Sequence, residues 1–371
     1  MFAPLLLNAI QTDRAIFLFD NGDKNMIASM LRYAEENDPE ELNRMDFRII
    51  FMGASVDAMG KEPFSHFSDK LIHYRQLGIE ETVDHTWKRD RKLEYLPLEH
   101  FQVQTKVWTG VSCAIFEQIL QHYQKNPLLE AVALRDNPSP IGDTDYFRVA
   151  DQVQETATKV AVPSVAAAQH LHNPTIVIGH PPIEEWLEEA GAVDKKAIMD
   201  RLGLHDKLPI IVYAGVYGEN YEKNFQYFLD IVPEDKVQVL IVPHPRYKGI
   251  VEKRLCQKFR IVEGDEIKTV EAIAIADAVV TADATSTVVF QANALKKKVL
   301  YVNLSSTPVS EAMIAKKLIH LPGDFLNIDS AAGEDVFELL GIPRNGAKIL
   351  WEHFKQSHQP DDEAESRNDH A

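Results

Sequence analysis

The sequence predicts an α/β protein of two units, each a parallel sheet covered by helices. Three observations carry this reading. Short apolar runs rich in Val, Ile, Ala and Phe recur along the chain and end in Gly, Asn, Asp, Ser or Thr. Such runs mark strands buried on both faces. Helix-length amphipathic stretches separate them, which is the alternation of βαβ units. Finally, 371 residues exceed what one hydrophobic core usually organises, so two units are expected.

In order, residues 14–20 are a strand ending in Asp20-Asn21-Gly22-Asp23, followed by a helix at 24–37. Residues 47–53 are a second strand, closed by glycine. Asp20 and Asn21 lie at a strand's carboxyl end, placed either to reach a cleft or to turn the chain and cap the helix. The stretch 61–101 holds His66, His73, His85 and His100 without the spacing of a metal site. Residues 106–109 are a strand, 112–123 a helix, and 131–134 a strand entering Arg135-Asp136-Asn137-Pro138. Asp136, with Asp143 and Asp145 in the same loop, supplies carboxylates for a base or a metal, or else a solvated acidic turn. Residues 160–164 are the last strand of this half and 165–171 a short helix. His172-Asn173-Pro174 reads as a hinge that divides units 1–172 and 173–350.

The second unit opens with a strand at 175–179, then His180-Pro181-Pro182 and helices at 183–190 and 195–202. Residues 209–214 are the plainest strand, followed by Gly215-Val216-Tyr217-Gly218-Glu219. Glycines there let the backbone approach a ligand closely. Their spacing matches neither the dinucleotide fingerprint nor the Walker loop, which disfavours both functions. The strand 238–242 delivers Pro243-His244-Pro245-Arg246, fit to clamp an anion or to form a rigid surface turn. A strand at 259–262 and a helix at 270–276 follow.

The stretch 274–303 is the most informative. A strand at 277–281 turns through Ala282-Asp283-Ala284 into Thr285-Ser286-Thr287, whose hydroxyls are placed to cap a helix at 288–295. Lys296-Lys297-Lys298 then complements the helix dipole, and 299–302 is a further strand. A hydroxyl-rich helix start at a strand's carboxyl end suits a phosphate or diphosphate. Taken alone, a plainly capped helix is the commoner meaning of such a turn. A helix at 309–317 and an amphipathic closing helix at 345–354 complete the unit, and 351–371 runs from the end of that helix into an acidic tail expected to be disordered.

Composition excludes several classes of function. The formal net charge of -17 argues against a nucleic-acid partner. Cys113 and Cys256 are the only cysteines, which suits a reducing compartment and gives neither a disulfide framework nor a zinc site. The apolar opening 1–10 lacks the basic start and cleavage site of a signal peptide, and no run has the length of a membrane span. The expectation is a soluble, cytoplasmic protein, with peripheral association at a membrane left open.

Residues 173–303 resemble the nucleotide-binding domain of glycosyltransferases with the two-Rossmann-domain GT-B architecture. Ile176 to Pro181, the Gly215 loop, the strand with His244-Pro245-Arg246, and the run from Ala276 through Leu295 carry the resemblance. CDP-glycerol glycerophosphotransferases, capsule and lipopolysaccharide-type transferases and UDP-N-acetylglucosamine 2-epimerases are the families most alike. The resemblance implies two Rossmann-like domains facing a central cleft and a nucleotide-sugar donor, or an activated polyol phosphate, as co-substrate. It also implies an unidentified acceptor hydroxyl and work on cell-envelope polysaccharide. Gly215, Tyr217, Gly218, Glu219 and Thr285, Ser286 and Thr287 would hold the diphosphate, with His244 and Arg246 beside it. Gln291 stands where many relatives have a ribose-binding Glu, and Lys296 to Lys298 where they have Gly-Lys-Pro. Asp20, Asp136 and His180 are the candidates for the catalytic base. Helix N-termini and basic side chains, rather than a metal or a further cofactor, would neutralise the leaving group. Two alternatives stand beside a transferase: a 2-epimerase-type enzyme, and a non-catalytic binding protein on the same fold.

Overall fold

The apolar runs assemble into two parallel sheets. In the computed structural model, residues 9–140, 145–216, 220–244, 249–262, 266–323 and 333–356 are described, without the side chains of 145–147. The opening residues, Asp143 and the acidic tail lie outside the described residues. The first sheet contains β1 (Ile10–Leu18), β2 (Phe47–Phe51), β3 (Leu71–His73), β4 (Phe101–Thr109), β5 (Glu130–Leu134), β6 (Lys159–Val162) and β7 (Thr175–Val177). Their order is β3-β2-β1-β4-β5-β6-β7. The second contains β8 (Ile210–Ala214), β9 (Gln238–Val242), β10 (Arg260–Ile261), β11 (Ala278–Thr281) and β12 (Lys298–Tyr301), ordered β10-β9-β8-β11-β12.

Every neighbouring pair is parallel. In each sheet the chain winds outward from its first strand, then restarts on that strand's other side. This leaves a topological switch point between β1 and β4, and another between β8 and β11. The α/β expectation, two such units as in GT-B enzymes, is what the chain forms.

Period-two geometry explains why the strands read as unbroken apolar runs. Ala15 and Phe17 of β1 enter one core while Ile16 and Leu18 enter another on the opposite face. In β8, Ile210, Val212 and Ala214 face one core, and Ile211 and Tyr213 the other. Both sheets are thus covered on both sides by helices.

Two segments sit where the sequence does not place them. Thr175–Val177 continues the first sheet, pairing Ala161 with Ile176, although the turn at His172-Asn173-Pro174 suggests that a new unit has begun. The chain leaves this sheet later, at Gly179, whose φ of +80° favours glycine. The closing helix Gly346–Lys355 also belongs to the first sheet, not the second. Leu350, Trp351 and Phe354 fill the core beneath β1 and β2. Arg14 donates to the Phe354 and Lys355 carbonyls (3.1 and 2.9 Å), and Lys106 donates to the His353 carbonyl (2.7 Å). Buried cations meet the carboxyl end of that helix, where its dipole is negative. The two crossings between the units touch: a Cβ at Gly179 would lie 2.6 Å from the Pro343 carbonyl oxygen and 2.9 Å from Gly346 Cα.

Residues 61–101 carry no periodic signal because β3, of three residues, sits there among short 3₁₀ turns. β4 also begins earlier than its apolar end suggests, at Phe101. Its first half alternates buried and exposed residues, so it lacks the continuous apolar signature.

Candidate active site in the cleft between the sheets

The carboxyl ends of β1, β5, β8 and β11 deliver the predicted turns. Between the units lies a cleft of about 540 Å³. Asn21, Gly22, Lys24, Lys61, Asp136 and Asn137 line one wall, His180 and Trp186 its floor, and Thr287 and Gln291 the other wall. The helix Pro181–Gly191 forms that floor by packing against the helices Asn21–Asn37, Thr269–Ile275 and Thr287–Ala294.

The first wall is built around carboxylates. Asp20 is the N-cap of the helix Asn21–Asn37, accepting from the Gly22 N–H (2.9 Å), and pairs with Arg89 at 3.3 Å. Asp23, fully enclosed, accepts from the N–H groups of Phe19, Asp20 and Lys24 (2.9, 3.0 and 2.8 Å). Burial first, and then the Asp20 charge, push its carboxyl well above the usual range. Asp136 lies over Gly22: a Cβ there would fall 1.7 Å from Asp136 Oδ2. Glycine at that position is therefore what lets the carboxylate reach the cleft. Lys24, half-buried, donates to Asn21 Oδ1 (3.0 Å). Burial, and then Lys61, lower its pKa.

His180 lines the cleft, yet its ring is already engaged. Nδ1 accepts from the Ile183 N–H (3.2 Å), so the imidazole caps the helix Pro181–Gly191. The ring also hydrogen-bonds the Asp136 main chain, and burial drives its pKa down to about 4. A ring so placed is a neutral strut. Of the three candidate bases, Asp136 lines the cleft and brings its carboxylate over Gly22. Asp20 and His180 are capping residues, a role that a strand-end position equally predicts.

The second wall reaches the cleft through Thr287 and Gln291; Gly215, His244, Thr285 and Ser286 are not among the residues that line it and stand behind them, in turns held largely by main chain. Gly215 donates to the Val242 carbonyl (2.8 Å), and a Cβ there would come within 2.7 Å of the His244 nitrogen and 2.9 Å of Glu252 Oε1. The turns after β8 and β9 thus close on each other at Gly215, beside the half-buried His244. After β11, Asp283 Oδ1 accepts from both the N–H and the hydroxyl of Thr285 (2.8 and 2.9 Å), fixing the turn. Ser286 occupies the N-cap position of the helix Thr287–Ala294, but no side chain caps that helix. The expected hydroxyl cap does not form; the Val289 N–H turns back to the Ser286 carbonyl (2.9 Å), and the N–H groups of Thr287 and Val288 keep their hydrogen-bonding capacity. Thr287 and Gln291, four residues apart, share the helix face toward the cleft. Lys298 starts β12 and is buried, so it is not part of a basic turn closing the helix.

Tyr217, Gly218, Glu219 and Arg246 lie outside the described residues. Sequence reasoning missed Lys24, Lys61 and Asn137. Lys24 had a usable signal, a lysine one turn into a helix that starts at a strand's carboxyl end; Lys61 had none. Among the described residues no group of three His, Cys, Asp or Glu could hold a metal ion, and no helix is long and apolar enough to cross a membrane.

No family model matches the sequence, and no curated protein matches it. Solved structures do match in fold. UDP-GlcNAc 2-epimerase from Neisseria meningitidis, bound to UDP-GlcNAc, aligns with a TM-score of 0.60 at 14% identity, over 92% of this chain and 99% of that one. The S. aureus MnaA–UDP co-structure gives 0.59 at 14% identity, covering 92% and 96%. UDP-GlcNAc 2-epimerase from Methanocaldococcus jannaschii gives 0.57 at 13% identity, covering 94% and 100%. The chain therefore has their GT-B-like fold along nearly its whole length.

Proposed function

We propose that this protein is a glycosyltransferase-like enzyme whose donor is a nucleoside-diphosphate-activated sugar or polyol phosphate. The observation that carries the proposal is the start of the helix Thr287–Ala294. It is uncapped by any side chain, it stands at the switch point of the second sheet, and it faces the Asp136 carboxylate across the cleft. Free N–H groups at a helix start favour an anion there, and the adjoining Gly215 turn lets a second phosphate approach main chain. On this reading His244 stands by the donor diphosphate, and Gln291 offers an amide to the donor's hydroxyls.

The reaction then needs a base and a stabilised leaving group. With an activated polyol phosphate the acceptor oxygen would bond to the polyol's phosphorus and a nucleoside monophosphate would leave. With a sugar donor, Asp136 takes the proton of the acceptor hydroxyl as its oxygen bonds to the sugar carbon. The bond from that carbon to the diphosphate breaks, and the diphosphate oxygen leaves with the electron pair. The helix N–H groups stabilise the developing negative charge. Lys24 and Lys61 keep the first wall from being wholly acidic.

A 2-epimerase-type enzyme is the second reading, favoured by the likeness in fold to UDP-GlcNAc 2-epimerases. A non-catalytic binding protein on the same fold is the third. Thermal shifts with UDP, CDP, GDP and their sugars test all three. Stabilisation by a nucleoside diphosphate supports the donor site. Diphosphate release only when an acceptor is added marks a transferase, and release of UDP with a free mannosamine derivative marks an epimerase. No nucleotide effect of any kind would leave only the binding protein.

A further inference from the structure

Among the described residues, the side chain of Asn137 joins the carboxylate wall to the anion wall. It lies next to Asp136, and its carboxamide spans the gap between the sheets: Nδ2 donates to the Thr285 carbonyl at 3.3 Å. Its other end is fixed, because Oδ1 accepts from the Ser139 N–H at 2.8 Å. Arg135 clamps the same loop, donating to the Asn137 and Ser139 carbonyls at 3.0 and 2.5 Å. Thr285 is held just as firmly by Asp283, and the residue after it begins the uncapped helix start. Each end of the bridge is thus a rigid turn, and each turn adjoins one half of the proposed chemistry.

We propose that Asn137 is a positioning residue that sets the distance between the donor diphosphate and the Asp136 base. The inference rests on the reading of the preceding section. An anion bound at Ser286 and Thr287 shifts the turn as a unit, and with it the Thr285 carbonyl that accepts from the Asn137 amide. That amide in turn fixes Asp136, and Asp136 fixes the His180 ring through its main chain. Occupancy of the second wall is therefore communicated to the first through a continuous path of part-buried hydrogen bonds and the Asp136–Asn137 peptide.

The test uses UDP as the probe and the His180 ring as the reporter. In the long-range ¹H–¹⁵N spectrum at pH 7, with the signal assigned through His180→Gln, UDP should shift the His180 ring resonances of the full chain. Asn137→Asp keeps the acceptor for Ser139 but has no proton for Thr285. Asn137→Ser keeps a turn-forming oxygen but is too short to cross. Both variants should bind UDP within about threefold of the parent, since no donor contact is removed, and both should lose the His180 response. An unchanged response in both variants would overturn the inference, as would UDP binding to the parent without any response. If UDP binds neither parent nor variants, the donor-site reading and this inference fall together.

Discussion

The two sheets wind alike, yet their switch points are opposite in chemistry. Between β1 and β4 the turn carries Asp20 and Asp23, with Asp136 nearby, and the N–H groups of Phe19, Asp20, Gly22 and Lys24 already donate to carboxylates. Between β8 and β11 the turns carry Gly215, Thr285, Ser286 and Thr287, and the helix start has no side-chain cap. The shared topology makes the crevice; the residues decide what enters it. A carboxylate-filled helix start repels an anion and can accept a proton, whereas an open one attracts a phosphate. One glycine stands at each site for a different reason. Gly22 makes room for a side chain, while Gly215 makes room for main chain.

Substituting those glycines sharpens the contrast most. Gly215→Ala drives a methyl into the His244 main-chain nitrogen, which cannot swing aside, and against the carboxylate of the buried Glu252. A loss of about 3 kcal/mol in urea-determined stability is expected, together with loss of nucleotide binding. Equal stability to the parent would show that the two turns do not depend on close approach.

The next largest effect belongs to His180, the capping ring on the floor of the cleft. Burial holds its folded-state pKa at about 4, below the 6.5 of a free imidazole. Between those values the unfolded chain carries a proton that the folded chain does not, so stability is full above pH 6.5 and falls toward pH 4. About 2 kcal/mol should disappear from this one group between pH 7 and pH 5. The urea midpoints of the parent and His180→Gln, compared at both pH values, isolate it. Identical pH slopes would mean that the ring is not buried neutral.

Gly22→Ala should be milder for the fold, at about 1 kcal/mol, because the atom it meets is the end of a side chain that can rotate. Its effect should instead fall on turnover, with nucleotide affinity preserved. Turnover equal to the parent's would remove Asp136 from the proposed chemistry. Ser286→Ala is the smallest for stability, under about 0.5 kcal/mol, because its hydroxyl caps nothing. UDP affinity should nevertheless fall by about tenfold, measured by calorimetry. A large stability loss with unchanged affinity would make it an ordinary cap after all.

Much of this molecule was readable in advance. The strands at 210–214, 238–242 and 278–281 announce themselves because burial on both faces demands unbroken apolar runs, and turn residues end them sharply. Thr285 to Gln291 stood out because hydroxyls at a strand's carboxyl end have few uses. Less was readable of the first wall. At Asp20 and His180 the same residue types serve a cap and a catalyst equally well, and local sequence cannot say which.

By itself, then, the sequence determined the elements and their alternation, since these follow from side-chain periodicity and local turn chemistry. It also placed the small polar residues at strand ends. Only the tertiary structure decided that β7 and the closing helix return to the first sheet, because that depends on which core accepts Trp351 and Phe354. Only the fold, likewise, set Asp136 over Gly22 and brought Asn137 to Thr285, residues 148 apart in the chain. Contacts of that range are fixed by how the sheets pack, and no local pattern records them.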